Sequence, residues 1–134
     1  SPDAITNATR ASSVGISLEP WKQDKLDCDL IVDAIFGTGL SREVQGRTHD
    51  IIGAMNSSGI SIYALDIPSG MECDLGIPMG ICIRATHTVT FVGMKVGFLN
   101  RDAEQYLGKV EIAGIGCPQS LLEKYGTLAS EYDG

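Results

Sequence analysis

Two aspartates stand where an apolar run meets a turn rich in small residues. Asp33 interrupts the apolar run at 30–36, which leads into a Gly-Thr-Gly turn, and Asp66 closes the apolar run at 60–66, ahead of Ile-Pro-Ser-Gly. A carboxylate in such a run is costly unless a cation or hydrogen-bond donors meet it. A glycine-rich turn exposes backbone N–H groups that a ligand can approach closely. Two strand ends of this kind predict one site.

Each candidate polar residue has a structural and a functional interpretation. Asp33 and Asp66 either cap the N–H groups of nearby loops or act as a cation ligand, a ligand anchor or a proton-transfer group. Ser69, three residues beyond Asp66, is either a turn serine or a hydroxyl ligand of a hard cation. Lys95 is either a surface lysine with a buried stem or a phosphate contact.

The turn at 37–42 (GTGLSR) is not a known phosphate-binding motif. Arg42 stands where the dinucleotide fingerprint has its third glycine, and the P-loop lysine is absent. The turn is therefore either a tight structural turn or a ligand-binding one. Arg42 and Glu43 are either a solvated pair or contacts for a phosphate and a ribose.

Strands and helices that alternate along the chain must position these residues. The run at 29–36 is apolar on both faces, which predicts a central parallel strand, and a helix then leads to the strand at 60–66. We expect this βαβ unit to have a right-handed crossover, with its two strands parallel and adjacent. Ligands bind at the carboxyl ends of such strands, so the turn and Asp66 should meet in one crevice. Further strands are predicted at 16–18, 85–92 and 109–113, and further helices near 4–11, 103–107 and 120–125.

Composition narrows the class of protein. The chain has 134 residues, of which 43% are hydrophobic, and we expect a single domain over 1–134. The net charge of −7 argues against nonspecific nucleic-acid binding, which needs a cationic surface. No apolar run is long enough to span a membrane. The four cysteines form no CxxC pair, which predicts reduced thiols, no zinc site and a cytoplasmic location.

Several stretches together resemble the YjeF N-terminal domain family, whose enzymatic members are NAD(P)H-hydrate epimerases. They are DLIVDAIFGTGLSREVQG (29–46), ALDIPSG (64–70), the D-x-G at Asp74 and Gly76, ATHTVTFVGMKVGF (85–98) and GKVEIAGIGCP (108–118). They follow the family's order and cover most of residues 29–118.

The resemblance implies a Rossmann-like, three-layer α-β-α fold with a mostly parallel sheet, often in a homo-oligomer. It implies a potassium ion near Asp33 and Ser69. The implied ligand contacts are Asp66 and the turn residues Gly37, Thr38, Gly39, Leu40, Ser41, Arg42 and Glu43. Lys95 is assigned a supporting role in ligand binding.

The implied substrate is NADHX or NADPHX, the reduced nicotinamide cofactor hydrated at C6. Its R and S epimers interconvert, so that a dehydratase specific for S can repair both. The ring nitrogen expels the C6 hydroxyl to give an iminium, and water then adds to the opposite face. That needs proton transfer and negative charge, for which Asp33 and Asp66 are the carboxylates available. We expect Asp33 to transfer protons or place the cation, and Asp66 to anchor the ligand.

One departure from the family pattern tempers this expectation. Family enzymes carry an upstream loop of the type G-N-N-G-G-D-G, and nothing here matches it. We therefore expect the chain to lack the first β-α unit of the family domain and to self-associate through the uncovered sheet edge. The alternative function is a non-catalytic binding or scaffold module of the same family.

Overall fold

A computed structural model describes residues 2–22 and 26–127 of the chain. Helices and strands alternate along most of it, as the hydrophobic pattern predicts. In the first half lie helix α1 (Pro2–Ser13), strand β1 (Ile31–Asp33), helix α2 (Gly46–Ser57) and strand β2 (Ile62–Leu65). In the second half lie strand β3 (His87–Phe91), 3-10 turns at Val96–Leu99 and Arg101–Ala103, helix α3 (Glu104–Leu107), strand β4 (Lys109–Ala113) and helix α4 (Gln119–Tyr125).

The four strands form one parallel sheet in the order β1-β2-β3-β4. Asp33 pairs with Ala64 across β1 and β2, and Leu65 pairs with Val89 across β2 and β3. The carboxyl ends of the first three strands are therefore neighbours. The predicted α/β, Rossmann-like fold with a parallel sheet flanked by helices is confirmed.

The buried face of the sheet packs on α2 and on the long connection between β2 and β3. Ile62 and Ala64 of the sheet join Ile52 and Met55 of α2 in one core cluster. A second cluster packs the connection against the segment that leads to β4, and it contains Ile67, Met71, Cys82, Phe98, Ala103 and Leu107. The loop that follows Asp66 is thus held in place by both core clusters.

Sterics require glycine at position 70 of this loop. Gly70 has a φ of +99°, and a Cβ at this position would lie 1.9 Å from the carbonyl oxygen of Ile81. Only glycine tolerates both conditions. The backbone that carries Ser69 is therefore held closely against the segment at 81–83.

Two sequence predictions about strands were wrong. Residues 16–18 pair with no strand in the described part of the chain, since Ile16 and Leu18 are each 56% exposed and have no neighbour to cover them. The run at 29–36 forms a strand over only Ile31–Asp33, and this strand lies at one edge of the described sheet rather than at its centre. Val32 is accordingly 56% exposed.

None of the helices within 2–22 and 26–127 combines the length and the hydropathy that a membrane crossing demands.

Candidate ligand-binding site

Asp33 joins the end of β1 to the loop after β2. Its side chain is fully buried. Oδ2 accepts a hydrogen bond from the backbone N–H of Ser69 at 2.7 Å, and Oδ1 accepts one from the Ser69 hydroxyl at 2.6 Å. The N–H of Ile35 also donates to Oδ1, at 3.3 Å. Both oxygens are therefore occupied by protein donors.

Ser69 completes a small cluster of oxygen atoms. Its hydroxyl oxygen accepts a hydrogen bond from the N–H of Phe36 at 2.8 Å and lies 3.3 Å from the Phe36 carbonyl oxygen. Together with Asp33, the cluster offers carboxylate, hydroxyl and carbonyl oxygens, which are the donors that hard cations prefer. Within the described ranges, no basic side chain forms an ion pair with Asp33.

The chemistry of this donor set fits a hard cation such as potassium. A buried carboxylate without a cationic partner is costly, and a bound cation offsets that cost. No cluster of three or more His, Cys, Asp or Glu side chains suited to a metal ion occurs in 2–22 and 26–127.

The Gly-Thr-Gly turn after β1 is open on its outer side. Apart from the chain neighbours of each glycine, no atom of residues 2–22 and 26–127 lies within 4 Å of the place where a Cβ of Gly37 or Gly39 would stand, and neither residue has a positive φ. Packing and backbone geometry therefore do not require glycine at either position. A ligand that approaches the backbone would require it.

A cavity of about 450 Å³ lies against this turn. Thr38 is exposed and does not line the cavity, whereas Glu43 lines a neighbouring one of about 320 Å³. Arg42 borders both cavities and forms no ion pair with Glu43. The lining of the larger cavity consists of Ile35, Phe36, Gly37, Gly39, Leu40, Ser41 and Arg42.

Asp66 stands at the end of β2 in a different environment. Its side chain is 26% exposed, and Oδ1 lies 2.7 Å from the ammonium Nζ of Lys95. The N–H of Phe91 donates to Oδ1 at 3.1 Å and the Thr90 hydroxyl at 3.3 Å. Asp66 adopts a φ of +69°, and Val92 on the neighbouring loop a φ of +71°. Such conformations are strained for non-glycine residues and cluster at functional sites.

The contacts of Asp66 keep it ionised. Partial burial raises the pKa of this carboxyl, but the Lys95 ammonium, the Phe91 N–H and the Thr90 hydroxyl together outweigh burial. The pKa of Asp66 therefore lies below its ordinary value. At neutral pH the residue is a hydrogen-bond acceptor with a fixed negative charge.

The predicted residues thus fall into two groups on adjoining strand ends. Asp33 and Ser69 meet below the turn, whereas Asp66 meets Lys95 at the ends of β2 and β3. Three contributors were not identified from the sequence: the Phe36 carbonyl, the Phe91 N–H and Thr90. Backbone groups leave no trace in a sequence, but a buried threonine in the alternating strand HTVTF was a detectable signal.

Comparisons with known proteins add to this geometry. The family described as "YjeF-related protein N-terminus" matches residues 1–97. The chain is 46% identical over 84 residues to an NAD(P)H-hydrate epimerase of Limosilactobacillus reuteri, covering 63% of this chain and 40% of the relative. It is 36% identical over 128 residues to one of Rhodopirellula baltica, covering 92% and 52% respectively.

A longer relative is also similar to this chain. It is named bifunctional NAD(P)H-hydrate repair enzyme Nnr, from Vibrio cholerae, and is 41% identical over 102 residues. That match covers 76% of this chain and 21% of the relative. The chain therefore spans between about a fifth and about half of the length of these relatives.

Proposed function

Since this chain belongs to the family of the YjeF-related protein N-terminus, we propose that it carries an NAD(P)H-hydrate epimerase site. The site interconverts the R and S epimers of NADHX and NADPHX. The names of the similar proteins support this activity.

The open Gly-Thr-Gly turn is the observation that carries the proposal. Gly37 and Gly39 leave their outer side free of protein atoms, beside a cavity of about 450 Å³. This volume lies in the range of small-molecule sites, roughly 300–1,000 Å³. The backbone N–H groups of 37–43 and the guanidinium of Arg42 supply donors for the phosphates of a dinucleotide.

The two aspartates have different roles in the proposed site. Asp33 is fully buried and both its oxygens are occupied, which favours cation placement over direct proton transfer. Asp33, Ser69 and the Phe36 carbonyl would hold a potassium ion, and when bound this ion supplies a fixed positive charge below the turn. Asp66 is half-buried and ionised, so it meets the ligand and carries negative charge.

The proposed reaction needs no cofactor that is oxidised or reduced. The C–O bond at C6 breaks as the lone pair of the ring nitrogen forms the iminium, and the hydroxyl leaves as water after it gains a proton. A water molecule then forms a new C–O bond on the opposite face and releases a proton, so protons balance. The negative charge of Asp66 stabilises the cationic intermediate electrostatically.

Further properties belong to the same proposal. A dehydratase that consumes the S epimer is the natural partner, in the same chain or another. Homo-oligomerisation through the edge strand β1 is supported by its place at the margin of the described sheet. A cytoplasmic location is supported by the four cysteines, all of which are free.

The test is epimer equilibration of R-NADHX, followed by chromatography with the protein at known concentration. We expect equilibration faster than the spontaneous rate, and Asp66→Asn should reduce the enzymatic rate at least about tenfold. A folded protein that binds NADP⁺ but leaves the spontaneous rate unchanged would contradict the activity. That result would favour the alternative of a non-catalytic binding module.

A further inference from the structure

The Asp66 carboxylate is held by one of its two oxygens. Lys95 Nζ, the Phe91 N–H and the Thr90 hydroxyl all contact Oδ1, at 2.7, 3.1 and 3.3 Å. Within residues 2–22 and 26–127, no hydrogen bond reaches Oδ2. An ionised carboxylate has about four lone-pair sites, so Oδ2 retains its full capacity to accept.

The ammonium group of Lys95 binds protein groups around Asp66 and is therefore not positioned to bind a phosphate. Its side chain is only 17% exposed. Besides the contact with Asp66, Nζ donates to the carbonyl oxygen of Phe91 at 3.1 Å. Phe91 therefore bonds Lys95 through its carbonyl and Asp66 through its N–H, which closes a compact ring of contacts at the end of β3.

The backbone supports the same geometry. Asp66 has a φ of +69°, and its N–H donates to the carbonyl oxygen of Val89 on β3 at 2.8 Å. Both the main chain and the side chain of Asp66 are thus fixed by β3 and the loop that follows it. A left-handed conformation at an aspartate persists only where surrounding contacts hold it.

We infer that Lys95 is a positioning residue, which holds Asp66 through Oδ1 so that Oδ2 accepts a hydrogen bond from a hydroxyl group of the bound nucleotide. This inference rests on the proposed function and names the atom that meets the ligand. A hydroxyl is the fitting partner because an ionised carboxylate only accepts hydrogen bonds and repels phosphate. Lys95 acts through Asp66 and does not itself touch the ligand.

Few titratable groups of the described residues act on the Asp66–Lys95 pair. Cys73, flanked by Glu72 and Asp74, is a titratable group that lies close enough to the Asp66–Lys95 pair to be affected by both charges. Burial and the nearby carboxylates raise the pKa of the Cys73 thiol, so this thiol stays neutral at pH 7. Lys95 is the cation that pairs with Asp66.

A double-mutant cycle tests the inference, with NADP⁺ as the probe and calorimetry as the readout. Lys95→Met and Asp66→Asn should each weaken binding about tenfold, and the double variant should also lose about tenfold, because both changes remove one interaction. Lys95→Arg should retain affinity within about threefold. Lys109→Met, at an exposed lysine of β4, is the matched control and should bind normally.

Multiplied losses of about a hundredfold in the double variant would overturn the inference, because they would mean that Lys95 contacts the nucleotide independently. A second readout needs no ligand: the carboxyl carbon of Asp66 is titrated by NMR. Lys95→Met should raise the pKa of Asp66, and Lys95→Arg should not. An unchanged titration in Lys95→Met would overturn the positioning role.

The two proposals fail in distinguishable ways. A wild-type protein that binds no NADP⁺ overturns the proposed function and the ligand-facing role of Oδ2, while the carboxyl titration alone decides whether Lys95 holds Asp66. Normal cycle results without epimerisation of R-NADHX would support the positioning role and contradict the epimerase activity.

Discussion

Asp33 and Asp66 end neighbouring parallel strands, yet they occupy opposite environments. Asp33 is fully buried and both its oxygens accept hydrogen bonds from the loop that carries Ser69. Asp66 is 26% exposed and uses Oδ1 alone for its protein contacts, which centre on Lys95. One carboxylate is enclosed by neutral donors, and the other is tied to a cation and open to solvent.

The difference shows how one sequence pattern yields two environments. A buried carboxylate without a cationic partner is costly, and a cation bound beside it would offset that cost. An ionised carboxylate that pairs with an ammonium through one oxygen can still accept a hydrogen bond from a hydroxyl at its free oxygen. We therefore propose that Asp33 organises the cation site, whereas Asp66 meets the ligand.

The largest expected effect is on stability. Asp33→Asn places an amide NH₂ against the N–H or hydroxyl of Ser69, which leaves buried donors without an acceptor. We expect this change to lower the free energy of unfolding by about 3 kcal/mol, and Asp66→Asn to lower it by about 1 kcal/mol or less. Urea denaturation measures both, and equal losses would remove the distinction between the two aspartates.

In the Gly-Thr-Gly turn next to Asp33, a substitution should weaken ligand binding and leave stability nearly unchanged. Gly39→Ala adds a methyl group that meets no protein atom, so stability should stay within about 0.5 kcal/mol of wild type. Affinity for NADP⁺ should fall about tenfold, since the methyl group occupies the ligand's approach.

Gly53→Ala is the matched control for this change. Gly53 lies inside α2, and a Cβ at this position would make an ordinary 3.8 Å contact with the side chain of Ile81. Helix propensity favours alanine over glycine there by up to about 1 kcal/mol. Stability should hold or rise, with NADP⁺ affinity unchanged. If Gly39→Ala binds NADP⁺ normally, the turn is purely structural.

Potassium should act on the Asp33 group alone. At a concentration ten times its Kd, the ion should raise the free energy of unfolding by about 1.4 kcal/mol. Tetramethylammonium chloride at equal ionic strength controls for screening. Ser69→Ala should abolish the effect and Asp66→Asn should preserve it, as measured by thermal unfolding; the reverse pattern would place the cation at Asp66.

The smallest expected effect is the pH dependence that Asp66 contributes. Its folded pKa is lowered, so ionised Asp66 contributes stability that is present above the unfolded pKa of about 3.9. That stability is lost as pH falls through the folded pKa. Asp66→Asn should therefore flatten the acid limb of the urea midpoint plotted against pH, and an identical limb would contradict the coupling.

The sequence predicted the parallel sheet and the placement of both aspartates at strand ends next to loops. The sequence could not predict that the two aspartates differ in environment. Their hydrogen bonds depend on backbone groups of Ser69, Phe36 and Phe91, which any residue type supplies. The sequence pattern also misplaced β1 at the sheet centre, since the apolar Val32 is exposed at the edge. Hydropathy records what a side chain prefers rather than which neighbours it finds.

The most direct test follows the carboxyl carbons of both aspartates by NMR as potassium and then NADP⁺ are added to one sample. We expect potassium to shift the Asp33 resonance and to leave that of Asp66 in place. We expect NADP⁺ then to shift the Asp66 resonance, because Oδ2 gains a hydrogen bond. A shift of Asp66 with potassium alone, or of Asp33 without Asp66 on adding NADP⁺, would contradict the division of labour between the two strand ends.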